Sequence, residues 1–213
     1  NDTIDGGAGN DTIDGGAGND TISAGAGDDR VTLGLGDVMF NNGSARDVGG
    51  SGYDTAVLSE GFSFNTSNWS LYGFEGVIGN DLNNIINGRA SAVNYNFQGG
   101  GGDDVITTAG GNDTIDGGAG NDTISAGAGD DRVTLGLGDV MFNNGSARDV
   151  GGSGYDTAVL SEGFSFNTSN WSLYGFEGVI GNDLNNIING RASAVNYNFQ
   201  GGGGDDVITT AGG

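Results

Sequence analysis

The chain has 213 residues, 47 of them glycine, with no proline, cysteine, histidine or lysine. Six arginines face 28 acidic residues, a net charge of −22, so the basic clusters that nucleic acid requires are missing and an anionic membrane surface is disfavoured. Without histidine or cysteine there is no Ser-His-Asp or Cys-His nucleophile and no zinc set, and no apolar run nears the roughly 20 residues that span a bilayer.

Two readings survive the composition. One is an acidic, glycine-rich disordered chain. The other is a repeat fold in which glycine and aspartate hold fixed places and a cation supplies the missing stability. The absence of cysteine suits an extracellular protein stabilised by something other than disulfides. With no signal peptide and no initiator methionine, the chain reads as a segment of something longer.

Residue order decides between the readings, because the chain repeats at two scales. Residues 10–111 recur without one change as residues 112–213, and residues 1–9 are an extra copy of the nonapeptide at 10–18. The expected organisation is therefore 1–9, an additional repeat, followed by two identical units at 10–111 and 112–213. The short period is nine. Gly6-Gly7-Ala8-Gly9-Asn10-Asp11-Thr12-Ile13-Asp14 leads into Gly15-Gly16-Ala17-Gly18-Asn19-Asp20-Thr21-Ile22-Ser23, then into Ala24 to Thr32. The pattern returns at Gly49 to Val57 and at Gly99 to Thr107, and from there runs on into the second unit.

Each position of the nonapeptide has a physical role. Glycines at the first, second and fourth places allow the positive φ angles of a tight turn and leave backbone carbonyls free to face a cation. The sixth place is an aspartate: Asp2, Asp11, Asp20, Asp29, Asp54, Asp104, Asp113, Asp122, Asp131, Asp156 and Asp206. Carboxylates joined by carbonyls, such as those of Gly6, Ala8, Gly9, Gly15, Ala17, Gly18, Gly99, Gly101, Gly117, Ala119 and Gly120, make a hard oxygen site. Such a site suits Ca²⁺, with roughly six to eight oxygens per ion. The last three residues alternate polar, apolar, polar and predict a very short strand with the apolar residue inward. Ile4, Ile13, Ile22, Val31, Ile106, Ile115, Ile124 and Val133 are the expected interior ladder. A lone Gly-Asp pair would signify only a turn; eleven aspartates in phase signify ligation.

These residues match G-G-x-G-x-D-x-U-x, where U is a large aliphatic, and the chain resembles the RTX, or haemolysin-type calcium-binding, family. The resemblance implies an all-β parallel solenoid, the RTX β-roll, with two nonapeptides per coil and ions between turns eighteen residues apart. At eighteen residues per coil and about 4.8 Å per coil, each unit would rise roughly 27 Å. About one ion per regular turn would cancel most of the −22, so a disordered metal-free chain and a folded calcium-loaded one are expected.

Between residues 33 and 98 the repeat degenerates. Val38 stands where a sixth-position aspartate belongs, which leaves that site in doubt. Asn84, and its copy Asn186, replace the carboxylate by an amide and are weaker candidate ligands, while Ile86 stays inward. Gly88 to Gln98 is an eleven-residue version with Phe97 inward. The stretch 56–78 gathers Phe62, Phe64, Trp69, Leu71, Tyr72 and Phe74; Leu71 to Asn80 resembles the segment that leads back into regular repeats in long RTX surface proteins. Its aromatics either fill a wider coil or form an exposed contact between units. Arg30, Arg46 and Arg89 are expected to pair with surface carboxylates.

The function expected is structural: a calcium-stabilised repeat segment of a secreted bacterial filament, adhesin or surface-layer protein, at the cell surface, not an enzyme. Its partners would be copies of itself, stacked head to tail, with cell attachment through regions outside this chain. The alternatives are a ligand-binding module for ice or carbohydrate, and the accessory solenoid of a secreted enzyme. The third position is Ala8, Ala17, Ala26, Ser51 or Gly101, never threonine, so the hydroxyl row of an ice-binding face is missing.

Overall fold

The computed structural model describes residues 1–34, 40–41, 44–45, 49–61, 73–88, 93–136, 139, 142–143, 146–147, 151, 154–162, 176–190 and 196–210. Within them the fold is all-β, a parallel solenoid of two- to four-residue strands. The expected fold class holds. One face is a single ten-stranded parallel sheet running from Thr12–Asp14 to Asn198–Gln200. The other is seen as shorter runs, among them Ile85–Asn87, Val105–Thr107 and Thr123–Ser125 paired in parallel. Phe40–Asn41 and Ser44–Ala45 form a small antiparallel pair outside this scheme.

The register sets the length of every coil. Thr12 pairs with Arg30, Arg30 with Thr55, Thr55 with Gly76, Gly76 with Asn96 and Asn96 with Thr114. One 102-residue unit is thus five coils, of 18, 25, 21, 20 and 18 residues. The regular nonapeptides make the expected two-repeat coils, whereas the irregular stretch makes three wider ones. The rise expected at eighteen residues per coil is therefore too long: five coils at about 4.8 Å give roughly 24 Å per unit. The added residues fall between the strands in the sequence, so coil length changes while the strand register does not.

The inward ladder on the long sheet is continuous across the boundary between units. Ile13, Val31, Ala56, Val77, Phe97, Ile115, Val133, Ala158 and Val179 lie in successive register, and all are buried. Opposite them Ile86, Ile106 and Ile124 stack on the second face. Period-two alternation dictates this, since in a three-residue strand only the middle side chain can face the core. Phe97 is fully buried, as its inward position required, with Tyr95 tilted against it at a ring-centroid distance of 4.8 Å. Phe74 is buried in the 21-residue coil, as the core-filling reading expects; Phe62, Phe64, Trp69, Leu71 and Tyr72 lie outside the described residues.

The arginine expectation fails where it can be examined. Arg30 and Arg132 are exposed on the outer face of the long sheet, and the only ion pair among the described residues joins the Asn1 amino group to Asp20 at 3.3 Å. Both arginines sit at outward strand positions, and neither has a carboxylate within ion-pair distance among the described residues. Arg46 and Arg89 fall outside the described residues.

The ladder predicts that Ile115→Ala, at the junction of the two units, lowers stability by about 2–5 kcal/mol. Urea denaturation in saturating calcium should show the reduced midpoint; an unchanged midpoint would contradict a packed, continuous interior.

Candidate metal centre

The sixth-position aspartates form two columns, one along each corner of the solenoid. In the first, the Asp11 N–H donates to Asp29 Oδ1 and the Asp29 N–H to Asp54 Oδ1, both at 2.8 Å. The column resumes with the Tyr95, Asp113 and Asp131 N–H groups donating to Asp113, Asp131 and Asp156 at 2.7–2.8 Å. In the second, the Asp2 N–H donates to Asp20 at 2.7 Å. Further along it, the Asn84 and Asp104 N–H groups donate to Asp104 and Asp122 at 2.8 Å, and the Asn186 N–H to Asp206 at 2.9 Å. Every expected carboxylate is therefore at a corner. Asp2 is exposed, and Asp11 and Asp206 are partly so, because fewer coils cover them.

Each link uses one carboxylate oxygen. The other, Oδ2, is buried without a hydrogen-bond partner at Asp11, Asp29, Asp104, Asp113, Asp122 and Asp131. An orphaned buried carboxylate oxygen is costly unless something positive meets it. Its surroundings show why the first position is glycine. A β-carbon on Gly99 would collide with Asp104 Oδ2 and with the Gly117 carbonyl oxygen of the next coil, although the Gly99 backbone itself is not left-handed. The space a side chain would fill is lined by oxygen.

The turn carbonyls behave in two ways. The eleven candidates all sit in the turns between strands. Gly99 and Gly117 turn their oxygens toward the preceding coil and Gly9 toward the following one. Second-position carbonyls, at Gly7 and Gly100, instead accept the N–H groups of Ala26 and Ala119 at 2.9 and 2.8 Å. Gly7 and Gly9, with φ of 90° and 124°, adopt the conformation that makes this turn possible. No group of three or more acidic side chains forms a metal cluster by itself among the described residues, so a cation here depends on these peptide oxygens. Unpaired carboxylate and carbonyl oxygens in one cradle fit calcium.

Burial pushes four of the corner carboxyls up. Asp104 rises to about 6 and Asp131 to about 7, with the neighbouring carboxylates of Asp122, and of Asp113 and Asp156, adding to the effect against backbone N–H donors that oppose it. Asp113 and Asp122 shift the same way, again chiefly through burial.

Sequence reasoning missed three sets of residues. Glu75 and Glu177 occupy the corner of the 21-residue coil, their Oε2 accepting the Asp54 and Asp156 N–H groups at 2.9 and 3.0 Å. A longer acid there reaches the same point, and its spacing of 21 from Asp54 hid it. Asp139 does the same for the second column, its Oδ1 accepting the Asp122 N–H at 3.3 Å. The residue at its side, Val140, is the equivalent of Val38; both lie outside the described residues. The third set is the fifth position. The side chains of Asn10, Asp28, Asn112 and Asp130 accept N–H groups from the following coil at 2.8–3.1 Å, opposite in direction to the sixth-position bonds. Its signal was present: asparagine or aspartate recurs before the sixth-position aspartate.

The amide candidates differ from the aspartates. Asn84 is fully buried, and its Nδ2 donates to Asn80 Oδ1 at 3.1 Å and to the Leu82 carbonyl. Asn186 repeats this with Asn182 and Leu184. The amide nitrogen thus stands inside the turn, facing the oxygens that an ion would face elsewhere.

Fold and corners together define a parallel β-solenoid with acidic, oxygen-lined turns. A family model of the RTX calcium-binding nonapeptide repeat matches the chain in four copies, over residues 1–31, 96–124 and 107–140. The chain carries RTX repeats, which bind calcium; residues 32–95 and 141–213 lie outside the match. No curated protein and no solved structure matches.

Two predictions follow from the corner geometry. Gly99→Ala should raise the calcium concentration needed for folding by roughly tenfold, about 1.4 kcal/mol, followed by circular dichroism; an unchanged midpoint would show that the cradle has room. Carboxyls raised from their ordinary range favour the metal-free fold at low pH and lose that contribution as pH climbs toward 7. Calcium-free protein should accordingly show more strand signal at about pH 4.5 than at about pH 8; the reverse order would contradict the burial of these groups.

Proposed function

We propose that this chain is a calcium-stabilised structural segment of a secreted bacterial filament, adhesin or surface-layer protein. One observation supports the reading above the others: the two units are a single rod. Asn96–Gln98 of the first unit pairs with Thr114–Asp116 of the second in the same register that joins strands within a unit, and the corner bonds cross the boundary with it at Tyr95–Asp113 and Asp104–Asp122. Tandem duplication of such a unit lengthens a stiff rod by about 24 Å per copy.

The calcium sites of this reading are the corners already described. Asp11, Asp29, Asp54, Asp104, Asp113, Asp122, Asp131 and Asp156 supply carboxylates, with Asp2, Asp20 and Asp206 nearer the ends. Calcium bound there offsets the charge that drives the coils apart and couples ion binding to folding. The RTX β-roll is a structural motif, and the residues given hold no histidine or cysteine nucleophile. No helix among the described residues is long and apolar enough to cross a membrane. The partners in this reading are further copies of the unit, added head to tail, a contact that does not close and so makes fibres.

Removing calcium with a chelator should abolish the strand signal and restoring it should recover the signal, read by circular dichroism. In electron micrographs the calcium-loaded protein should form rods or filaments that chelator disperses. A strand signal indifferent to chelator would sink the calcium reading; particles that stay monomeric at high protein and calcium concentrations would sink the self-assembly.

A further inference from the structure

In the 20-residue coil that starts at Gly76, two successive corners lack a carboxylate. Tyr95 stands at a sixth position of the first column. Its N–H donates to Asp113 Oδ1 at 2.7 Å and its carbonyl accepts the Thr114 N–H. Asp113 makes the same two bonds, to Asp131 and Arg132. Asn84, the corner before it, holds the equivalent place in the second column. Their copies are Tyr197 and Asn186.

At a regular corner the first-position glycine faces the acid of its own turn. A β-carbon on Gly49, Gly99 or Gly117 would collide with Oδ2 of Asp54, Asp104 or Asp122. At Gly79 and Gly181 the three nearest atoms all belong to the main chain of the following coil, and none to Asn84 or Asn186. The amides point into their own turns. Asn84 Nδ2 donates to Asn80 Oδ1 at 3.1 Å and to the Leu82 carbonyl. Asn186 repeats both bonds and adds one to Asp206 Oδ1 at 3.4 Å. A peptide carbonyl only accepts, so the nitrogen is the amide atom among these oxygens. It donates where a cation would otherwise be needed and cannot ligate one. Asn186 Oδ1 is buried without a partner, but it is one neutral oxygen against the roughly six to eight that calcium takes.

Tyr95 offers the first column a ring. It is 6 % exposed, packs 4.8 Å from Phe97, and lies where a β-carbon on Gly88 would collide with it. Phe74, Val77, Ile86 and Phe97 are buried around the same coil. Aromatic side chains bury about 150–250 Å² each, whereas the regular coils place only Ile115, Ile124 or Val133 inward. The bulkiest inward side chains therefore coincide with the missing carboxylates.

We propose that this coil excludes calcium at both its corners, Asn84 and Tyr95, and that aromatic packing stabilises it in place of ions. Both ion rows then break once in every unit. Calcium-dependent stacking runs in blocks between such breaks, and the block holding Asp104, Asp113, Asp122 and Asp131 spans the boundary between units. The inference rests on the calcium reading of the regular corners, which the same experiments test separately.

Crystals of the unaltered protein grown in calcium should show anomalous peaks beside Asp113 and Asp122. None should lie within about 2.6 Å of the side chains of Asn84, Tyr95, Asn186 or Tyr197; a peak there overturns the proposal. Peaks at no corner would overturn the calcium reading of the regular ones. Equilibrium dialysis counts the ions independently. D20N/D122N should lose about two per chain, one for each regular corner removed, and N84A/N186A none; a loss of about two from N84A/N186A also overturns the proposal. Urea midpoints measured across calcium concentrations test the aromatic half. F97A/F199A should lower every midpoint equally, leaving the dependence on calcium unchanged, whereas D20N/D122N should flatten it. A flattened dependence in F97A/F199A would show that these rings support ion binding and do not replace it.

Discussion

The structure depends on what happens to one oxygen at each corner. At Asp104 and Asp122 the aspartate accepts the N–H of the preceding coil at Oδ1 and holds Oδ2 buried against a bare glycine, with no hydrogen-bond partner. Burying an uncompensated carboxylate costs several kcal/mol, whereas one inward isoleucine contributes about 1.5–3 kcal/mol. Each regular coil has two such corners and two inward aliphatics. The corner therefore decides whether a coil stacks, and the apolar ladder alone cannot carry it. A doubly charged cation shared between turns reverses the sign of the largest unfavourable contribution.

That constraint also explains what the fold tolerates. Coils of 18, 20, 21 and 25 residues stack in one sheet because only the strand triplets and corner residues must coincide. The additional residues of the wider coils fall between these fixed points in the sequence. Where a wider coil needs a corner acid, a different residue supplies it: Glu75 with its longer side chain, or Asp139 from the place before the sixth. Where the corner is Asn84 the amide nitrogen faces the turn oxygens itself, so a neutral group with its own donor replaces the pairing of acid and ion.

Neighbouring coils are tied in both directions. Fifth-position side chains accept from the following coil and sixth-position side chains from the preceding one, so adjacent residues hold the coil from above and below. The outer bonds are exposed and neutral at Asn10 and Asn112, whereas the inner ones are buried and charged. The Asn-Asp dipeptide of the repeat thus combines a solvent-facing clasp with a buried carboxylate at the corner.

The amino-acid order by itself determined the architecture. A period of nine with one aliphatic per strand admits a single inward residue, and Ile13, Val31, Ile106, Ile115 and Val133 are where that period puts them. It also determined the corner aspartates, because glycine at fixed places before an acid describes a turn and an oxygen donor together. What only the tertiary structure decided is how the irregular 33–98 stretch joins the rod. Glu75, Asp139 and the 25- and 21-residue coils follow from which residues meet across the stack, and spacing along the chain does not encode that meeting once the period is lost. The direction of the fifth-position bonds belongs here too, since a side chain can reach either neighbouring coil and only the stacked geometry selects one.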